Sequence, residues 1–417
     1  MKSVLTVSIA FPPKFDSEGL VVSKYFKYLI PACQGRYALD VVTSAIPTLN
    51  MHYDPALEGS ADGIRQEVAI PIYENKYVNY ILRRVWPTLV FNPDSKFTFH
   101  WQWRRVVRQL KHKPDLIYSR AFPSSSTLMA QKLKRYYKVP WILHLSDLWA
   151  DCPDSDYRGG AQAHNEKLER SAFAEADIIS VTSHSTADFF RRKYPEMADR
   201  VVFYPNVYDP VDVVEPTRPA PTKNRKLRIV HTGGLAGTRN PEPFMKALAS
   251  LSEESQSELE VIFAGWVDRE STRIIKKYEC PCFTYLGPLE SYKDAVELQR
   301  TADVLLLVDF PVAVPEHRVY FLSKLLDYQI TGRPILGITD AGSECQRFIE
   351  SEGGHCFERS DVEGIKKYLE WLIEIKKEDE PKYFELRPLQ TEYDAKYNAE
   401  RLANLFDQVL AETGVQS

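Results

Sequence analysis

No apolar run in the chain approaches the ~18–20 residues needed to cross a bilayer as a helix. The opening Met1-Lys-Ser-Val-Leu-Thr-Val-Ser-Ile-Ala10 passes straight into a strand pattern without a cleavage site, so no signal peptide is expected. The six cysteines (Cys33, Cys152, Cys280, Cys282, Cys345, Cys356) include no Cys-x-x-Cys pair. Neither a zinc ribbon nor a disulfide framework is indicated, and reduced thiols in a cytoplasmic protein are expected. Gly-x-Gly-x-x-Gly is also missing. The loop after the first strand, Phe11-Pro-Pro-Lys-Phe-Asp-Ser-Glu-Gly-Leu20, holds the single glycine Gly19, which counts against a nicotinamide-dependent dehydrogenase. Acid is scarce over 76–113, where Asp94 alone stands among Arg83, Arg84, Lys96, Arg104, Arg105, Arg108, Lys111 and Lys113. No nucleic-acid motif accompanies that charge and the chain carries a net −4, so no nucleic-acid partner is expected.

What is present describes a chain of two or more domains. At 417 residues it exceeds the ~250–300 at which single cores stop growing, and 44% apolar with 26% charged residues is ordinary for a globular protein. Apolar strand patterns alternate with helical ones: Val4–Ile9, Leu39–Thr43, Glu67–Pro71, Asp115–Arg120, Val139–Ser146, Ala176–Thr182 and Arg200–Tyr204 precede a Pro-rich stretch over 210–226, and Leu227, Leu259, Phe283, Asp303 and Ile335 open further strands after it. Two doubly wound α/β halves joined by a hinge are expected. Residues 1–205 carry 27 Lys+Arg against 21 Asp+Glu, a net +6, and the remainder 26 against 36, a net −10. A basic first half suits an anionic acceptor or an anionic membrane surface. Trp103, Val106, Val107 and Leu110 share one face within the 76–113 stretch, as either an interfacial amphipathic helix or a helix covering an α/β sheet would, so peripheral membrane contact and sheet cover are both open there.

The stretch Phe321-Leu-Ser-Lys-Leu-Leu-Asp-Tyr-Gln-Ile-Thr-Gly-Arg-Pro-Ile-Leu336 places Lys324 and Asp327 three apart on one helix face, ends the helix at Gly332 and runs into a buried strand. A cation and a carboxylate so placed suit a diphosphate and a ribose. Leu227-Arg-Ile-Val-His-Thr-Gly-Gly-Leu-Ala-Gly-Thr-Arg239 reads as strand, glycine loop and helix, with Gly233 and Gly234 letting backbone approach a phosphate and Arg239 adding charge at the helix start. His144, Ser146 and Asp147 end a strand, where open α/β sheets present chemistry; Asp147 is read as functional and His144 as a histidine held within the sheet. Asp154-Ser-Asp156 is read as a solvated loop rather than a metal motif.

Lys324-Leu-Leu-Asp-Tyr328 followed by Gly332-Arg-Pro-Ile-Leu336 resembles the donor-binding helix of the retaining, nucleotide-sugar-dependent glycosyltransferases of family four. The Pro-rich first loop with Gly19, the strand ending at Ser146-Asp147, Pro205-Asn-Val-Tyr-Asp209, the Gly233 loop and Gly287-Pro-Leu289 are similar to that family's motifs in the same order. The resemblance implies a GT-B fold: an acceptor-side Rossmann-like domain over 1–205, a linker over 206–226, a nucleotide-sugar-binding Rossmann-like domain over 227–390, and a terminal helix over 391–417 crossing back to the first domain. It implies a nucleotide diphosphate sugar as donor in a cleft between the domains, an acceptor left open between lipid-linked and anionic glycans, and no cofactor or metal, with Arg239 and Lys324 neutralising the leaving diphosphate. Asp327 would hold the ribose. Two departures stand out: Val319 occupies the place of the family's first acidic residue, for which Glu316 is the proposed substitute on the sugar hydroxyls, and Ser146 that of its acceptor-side histidine. Polysaccharide or glycoconjugate synthesis at the inner face of a membrane is the implied setting. A nucleotide-sugar epimerase of the same fold and a non-catalytic nucleotide-sugar-binding protein are the alternatives.

Overall fold

The computed structural model describes residues 1–46, 52–153, 155, 157, 159–213, 225–377 and 382–414. The chain divides into two compact units, Met1–Pro210 with Thr391–Ser417, and Val211–Gln390. In the first, β1 (Lys2–Val7), β2 (Tyr37–Ser44), β3 (Gln66–Ile70), β4 (Leu116–Ala121), β5 (Trp141–Leu145), β6 (Ile178–Val181) and β7 (Val201–Phe203) form one sheet in the order β3-β2-β1-β4-β5-β6-β7. Every pairing is parallel. β2, β4 and β5 are buried along their whole length, which is why they read as apolar runs rather than alternating ones.

The second unit repeats the plan. β8 (Leu227–Thr232), β9 (Leu259–Ala264), β10 (Phe283–Gly287), β11 (Val304–Val308), β12 (Ile335–Ile338) and β13 (His355–Phe357) pair in parallel in the order β10-β9-β8-β11-β12-β13. The strand order turns between β1 and β4 in one unit and between β8 and β11 in the other. At such a switch point the loops leaving adjacent strands diverge to opposite faces and open a crevice at the carboxyl ends.

The helix Ser17–Cys33 covers the first sheet, and Asp16 caps it by accepting the Gly19 N–H at 2.6 Å. A side chain on Gly19 would collide with the Lys14 carbonyl oxygen, 2.3 Å from its Cβ position. The terminal helix Ala395–Glu412 packs on Ser17–Cys33 and adds Leu402, Phe406, Val409 and Leu410 to that unit's core. Residues 206–210 of the expected linker belong to the first unit: the Tyr208 carbonyl accepts the Ala395 N–H at 3.0 Å, and Lys27 and Tyr28 hold the Asp209 carboxylate at 2.7 and 2.6 Å. Residues 214–224 of that linker, and Asp154 and Asp156, lie outside the described residues.

Within the basic stretch, the Trp103 face takes the covering reading of its two. Trp103–Gln109 is helical, and its apolar side faces the unit: Val106 is fully buried and the Trp103 ring meets Tyr136 at 5.9 Å. It is a covering helix with a solvated cationic side. No helix among the described residues is long and apolar enough to cross a membrane.

Candidate functional site

At the switch point of the second unit, Gly233 follows β8, Asp309 follows β11, and Lys324 opens the helix Lys324–Gln329. The Gly233 N–H donates to the Ala264 carbonyl at 2.7 Å and its φ is +109°. A Cβ on Gly233 would lie 2.1 Å from Lys324 Nζ, and one on Gly265 would lie 2.2 Å from the Gly233 carbonyl oxygen. The clash at Gly265 is with backbone, whereas at Gly233 it is with the mobile end of Lys324 and the positive φ is what favours glycine. The lysine ammonium lies against the backbone after β8.

Lys324 is part-buried and makes no hydrogen bond or ion pair among the described residues. Burial, and then the Arg239 guanidinium, lower its ammonium to about 8, while Asp327 and Asp309 act in the opposite sense. Arg239 lies over the Phe310 ring at 5.4 Å and likewise has no carboxylate partner among the described residues. Two cations that repel each other and lack salt-bridge partners are a seat for an anion.

Arg239 belongs to the loop and not, as its position in sequence suggests, to a helix start. The helix begins at Glu242, and its first turn is already served by Asn240 Oδ1, which accepts the Glu242 N–H at 2.8 Å. Gly234 is not forced by close approach, since a Cβ there would meet only the Trp266 carbonyl oxygen at 3.6 Å. Asp327 is buried and accepts the Tyr292 hydroxyl at 3.0 Å, while that hydroxyl also lies 3.4 Å from Asp212. Burial and the two carboxylates together push the Tyr292 phenol well above its usual range. Asp309 is buried at the end of β11, with its carboxylate accepting the Phe310 N–H at 2.7 Å. Burial raises it to about 6 against the pull of that bond and of Arg239 and Arg359. Glu316 stands exposed in the turn Pro315–His317, and no hydrogen bond or ion pair among the described residues joins it to this group.

Sequence reasoning missed Asp309 and Tyr292. The signal for Asp309 was available, because it ends a buried apolar strand as Asp147 nearly does. Tyr292 has no local signal; the hydroxyl reaches Asp327 across 35 residues of chain.

In the first unit Ser146 donates to Glu18 at 2.6 Å, and Glu18 pairs with the fully buried Arg120 at 2.9 Å. Arg120 stacks on Tyr25 at 5.1 Å. His144 is bonded to Ser180 at 3.0 Å through Nδ1, and burial, with help from Arg120, drives its pKa far down, so it is a neutral sheet histidine. Asp147 is half-buried in the bend beyond Ser146. Gly19 adjoins Glu18 and serves the helix cap described above. Among the described residues, no cluster of three or more His, Cys, Asp or Glu could hold a metal ion.

Residues 22–207, spanning most of the first unit, match the family model of the glycosyl transferase 4-like domain. The two-sheet architecture is a GT-B fold. No curated protein matches the chain by sequence. Among solved structures the chain is similar to sucrose-phosphate synthase from Thermosynechococcus elongatus, at 13% identity and a TM-score of 0.62 over 99% of this chain and 98% of that one. It is similar to Anabaena HepE, solved with UDP and glucose, at 14% identity and 0.59 over the whole of both chains. It is also similar to UDP-GlcNAc 2-epimerase from Methanocaldococcus jannaschii, at 10% identity and 0.55 over 98% and 100%. These likenesses place the fold alone.

Proposed function

We propose that the chain moves a sugar from a nucleotide diphosphate sugar to a hydroxyl acceptor with retention at the anomeric carbon, in polysaccharide or glycoconjugate synthesis. The observation that carries this reading is the Lys324 ammonium against the backbone of Gly233, with the Arg239 guanidinium acting on it and no ion-pair partner for either among the described residues. In the reaction the bond from the anomeric carbon to the terminal phosphate oxygen breaks and a bond to the acceptor oxygen forms. Charge develops on the leaving diphosphate, where two fixed cations stabilise it without requiring a metal. Attack from the leaving-group face gives retention and sets the acceptor hydroxyl beside the departing phosphate oxygen, which takes its proton. In this proposal Asp327 accepts the ribose hydroxyls in place of the Tyr292 hydroxyl, Glu316 addresses the sugar hydroxyls from its exposed turn, and Asp147 faces the reacting sugar or the acceptor. A lipid-linked or anionic glycan suits the net positive charge of residues 1–205, and a cytoplasmic donor pool suits the free thiols.

The test begins with a thermal-shift panel of nucleotide sugars and continues with product analysis lacking acceptor. A transferase is stabilised by its donor and hydrolyses it slowly; an epimerase returns an altered nucleotide sugar; a binding protein returns the donor intact. Calorimetric titration of Lys324→Ala and Arg239→Ala then addresses the site. A charge-assisted hydrogen bond contributes roughly 1.5–3 kcal/mol, so each variant should bind nucleoside diphosphate about ten- to a hundredfold more weakly, with nucleoside binding unchanged. Equal loss for both ligands would mean that the two cations are structural.

A further inference from the structure

We infer that Cys280 and Cys282 form a redox-active dithiol that closes reversibly to an intramolecular disulfide. Both are free thiols on the turn between the helix Arg269–Lys277 and β10, at the amino end of the second sheet. Their sulfurs lie 3.3 Å apart. The Phe283 N–H closes the turn by donating to the Cys280 carbonyl at 3.0 Å, and Pro281 occupies its second position, where a fixed φ is favoured. On the other side the Cys282 carbonyl accepts the Val261 N–H of β9 at 2.8 Å. With backbone held on both sides, the two side chains are kept together.

Access and acidity then set their chemistry. The two cysteines are 9% and 6% exposed, and Glu279 and Pro281 beside them are exposed, so the sulfurs lie just beneath the surface within reach of a small oxidant. A hydrogen bond from Cys282 holds the Cys280 thiol below its usual value and pushes that of Cys282 up. Cys280 is therefore the thiolate that attacks and Cys282 the thiol that resolves. At Cys33, Cys345 and Cys356 burial raises the thiol instead. A structural zinc would need four ligands, and among the described residues no group of three or more His, Cys, Asp or Glu is placed to hold a metal. With hydrogen peroxide as oxidant, the Cys280 thiolate takes one oxygen as the O–O bond breaks, and the hydroxide released recovers the proton that Cys280 gave up. The Cys282 sulfur then displaces the sulfenic hydroxyl, which leaves with the Cys282 proton as a second water. The two sulfurs lose the two electrons that the peroxide gains. In a reducing compartment such a bond is transient and senses oxidant.

The pair lies at the opposite end of β10 from Gly287 and the candidate site, so its test is independent of the proposed function. The reduced full chain is treated with hydrogen peroxide, its remaining thiols are alkylated, and its mass is measured whole and after digestion. Loss of two alkylatable thiols from the six is expected, with both sulfurs joined inside the peptide that holds residues 280–282 and freed again by dithiothreitol. The parent chain alone decides whether the bond forms; variants assign the roles. Cys282→Ser should stop at a Cys280 sulfenic acid that dimedone traps, and Cys280→Ser should leave Cys282 unoxidised at the same dose. The inference is overturned if the parent keeps all six thiols, if the loss falls on other cysteines, if the bond joins two chains, or if dithiothreitol does not reverse it.

Discussion

A lysine ammonium set beside an arginine and part-withdrawn from water costs the folded protein stability, a cost that an anion bound there, as proposed, would offset. Burial and Arg239 lower Lys324 from its ordinary value to about 8. Between pH 8 and the unfolded value near 10.5 the unfolded chain binds more protons than the native one, so stability attributable to this group rises with pH there, and the penalty is fully present below pH 8. Lys324→Met should therefore raise the melting point of the unliganded protein at pH 7, by about 2–4 °C for each kcal/mol recovered, with the gain shrinking toward pH 10. The same variant should flatten the pH profile of nucleoside diphosphate binding. In the parent a bound diphosphate holds the proton on, so affinity falls as pH rises through 8; scanning calorimetry and titration at several pH values check both. At this scale Lys324, Asp327 and Gly233 were legible because their spacing within one helix and one loop is local. Tyr292 was not, because its bond to Asp327 exists only once two distant elements are packed.

Elements were more legible than their ends. Strand after strand falls where buried apolar runs demand, and Gly332 takes the left-handed φ of +65° that its place after a helix requires. The helix before it is shorter than its periodicity suggests, Lys324–Gln329, since Ser323 sits in helical backbone and provides no capping bond. The Trp103–Gln109 face showed why amphipathic pattern alone cannot separate a core-facing helix from an interfacial one: both need the same stripe, and only packing says which way it points. Packing also created the Glu18–Arg120 pair between the helix Ser17–Cys33 and β4, invisible in sequence at a separation of 102 residues. Breaking a buried pair from one side leaves a charge without compensation, so Arg120→Ala should cost about 3–5 kcal/mol. The double variant Arg120→Met with Glu18→Gln should recover much of that loss. Denaturant unfolding of the three proteins checks the cycle, and equal stability of the single and double variants would show that charge is not what the pair supplies.

The whole molecule repeats one strand order in two units, and that plan was readable because each α/β alternation restarts after a Pro-rich stretch. The route of the last helix came from resemblance, not from composition, since nothing in Ala395–Glu412 taken alone says which sheet it will join. Its burial makes a strong prediction. Deleting residues 391–417 strips Leu402, Phe406, Val409 and Leu410 from the first unit's core, at roughly 1.5–3 kcal/mol per side chain, a sum of about 6–12 kcal/mol that is comparable with a domain's usual margin of about 5–15 kcal/mol. Limited proteolysis should then digest residues 1–210 and spare a fragment near 225–377, whereas survival of both units would refute the dependence. That shared core also dictates an order of assembly on the ribosome. The second unit is one continuous segment and is complete once its own residues have emerged, but the first must wait for a helix made some 185 positions after Pro210, a delay of roughly 10–40 s at ~5–20 residues per second. Through that interval the earliest part of the nascent chain holds an unclosed apolar surface, open to aggregation before the last helix can cover it.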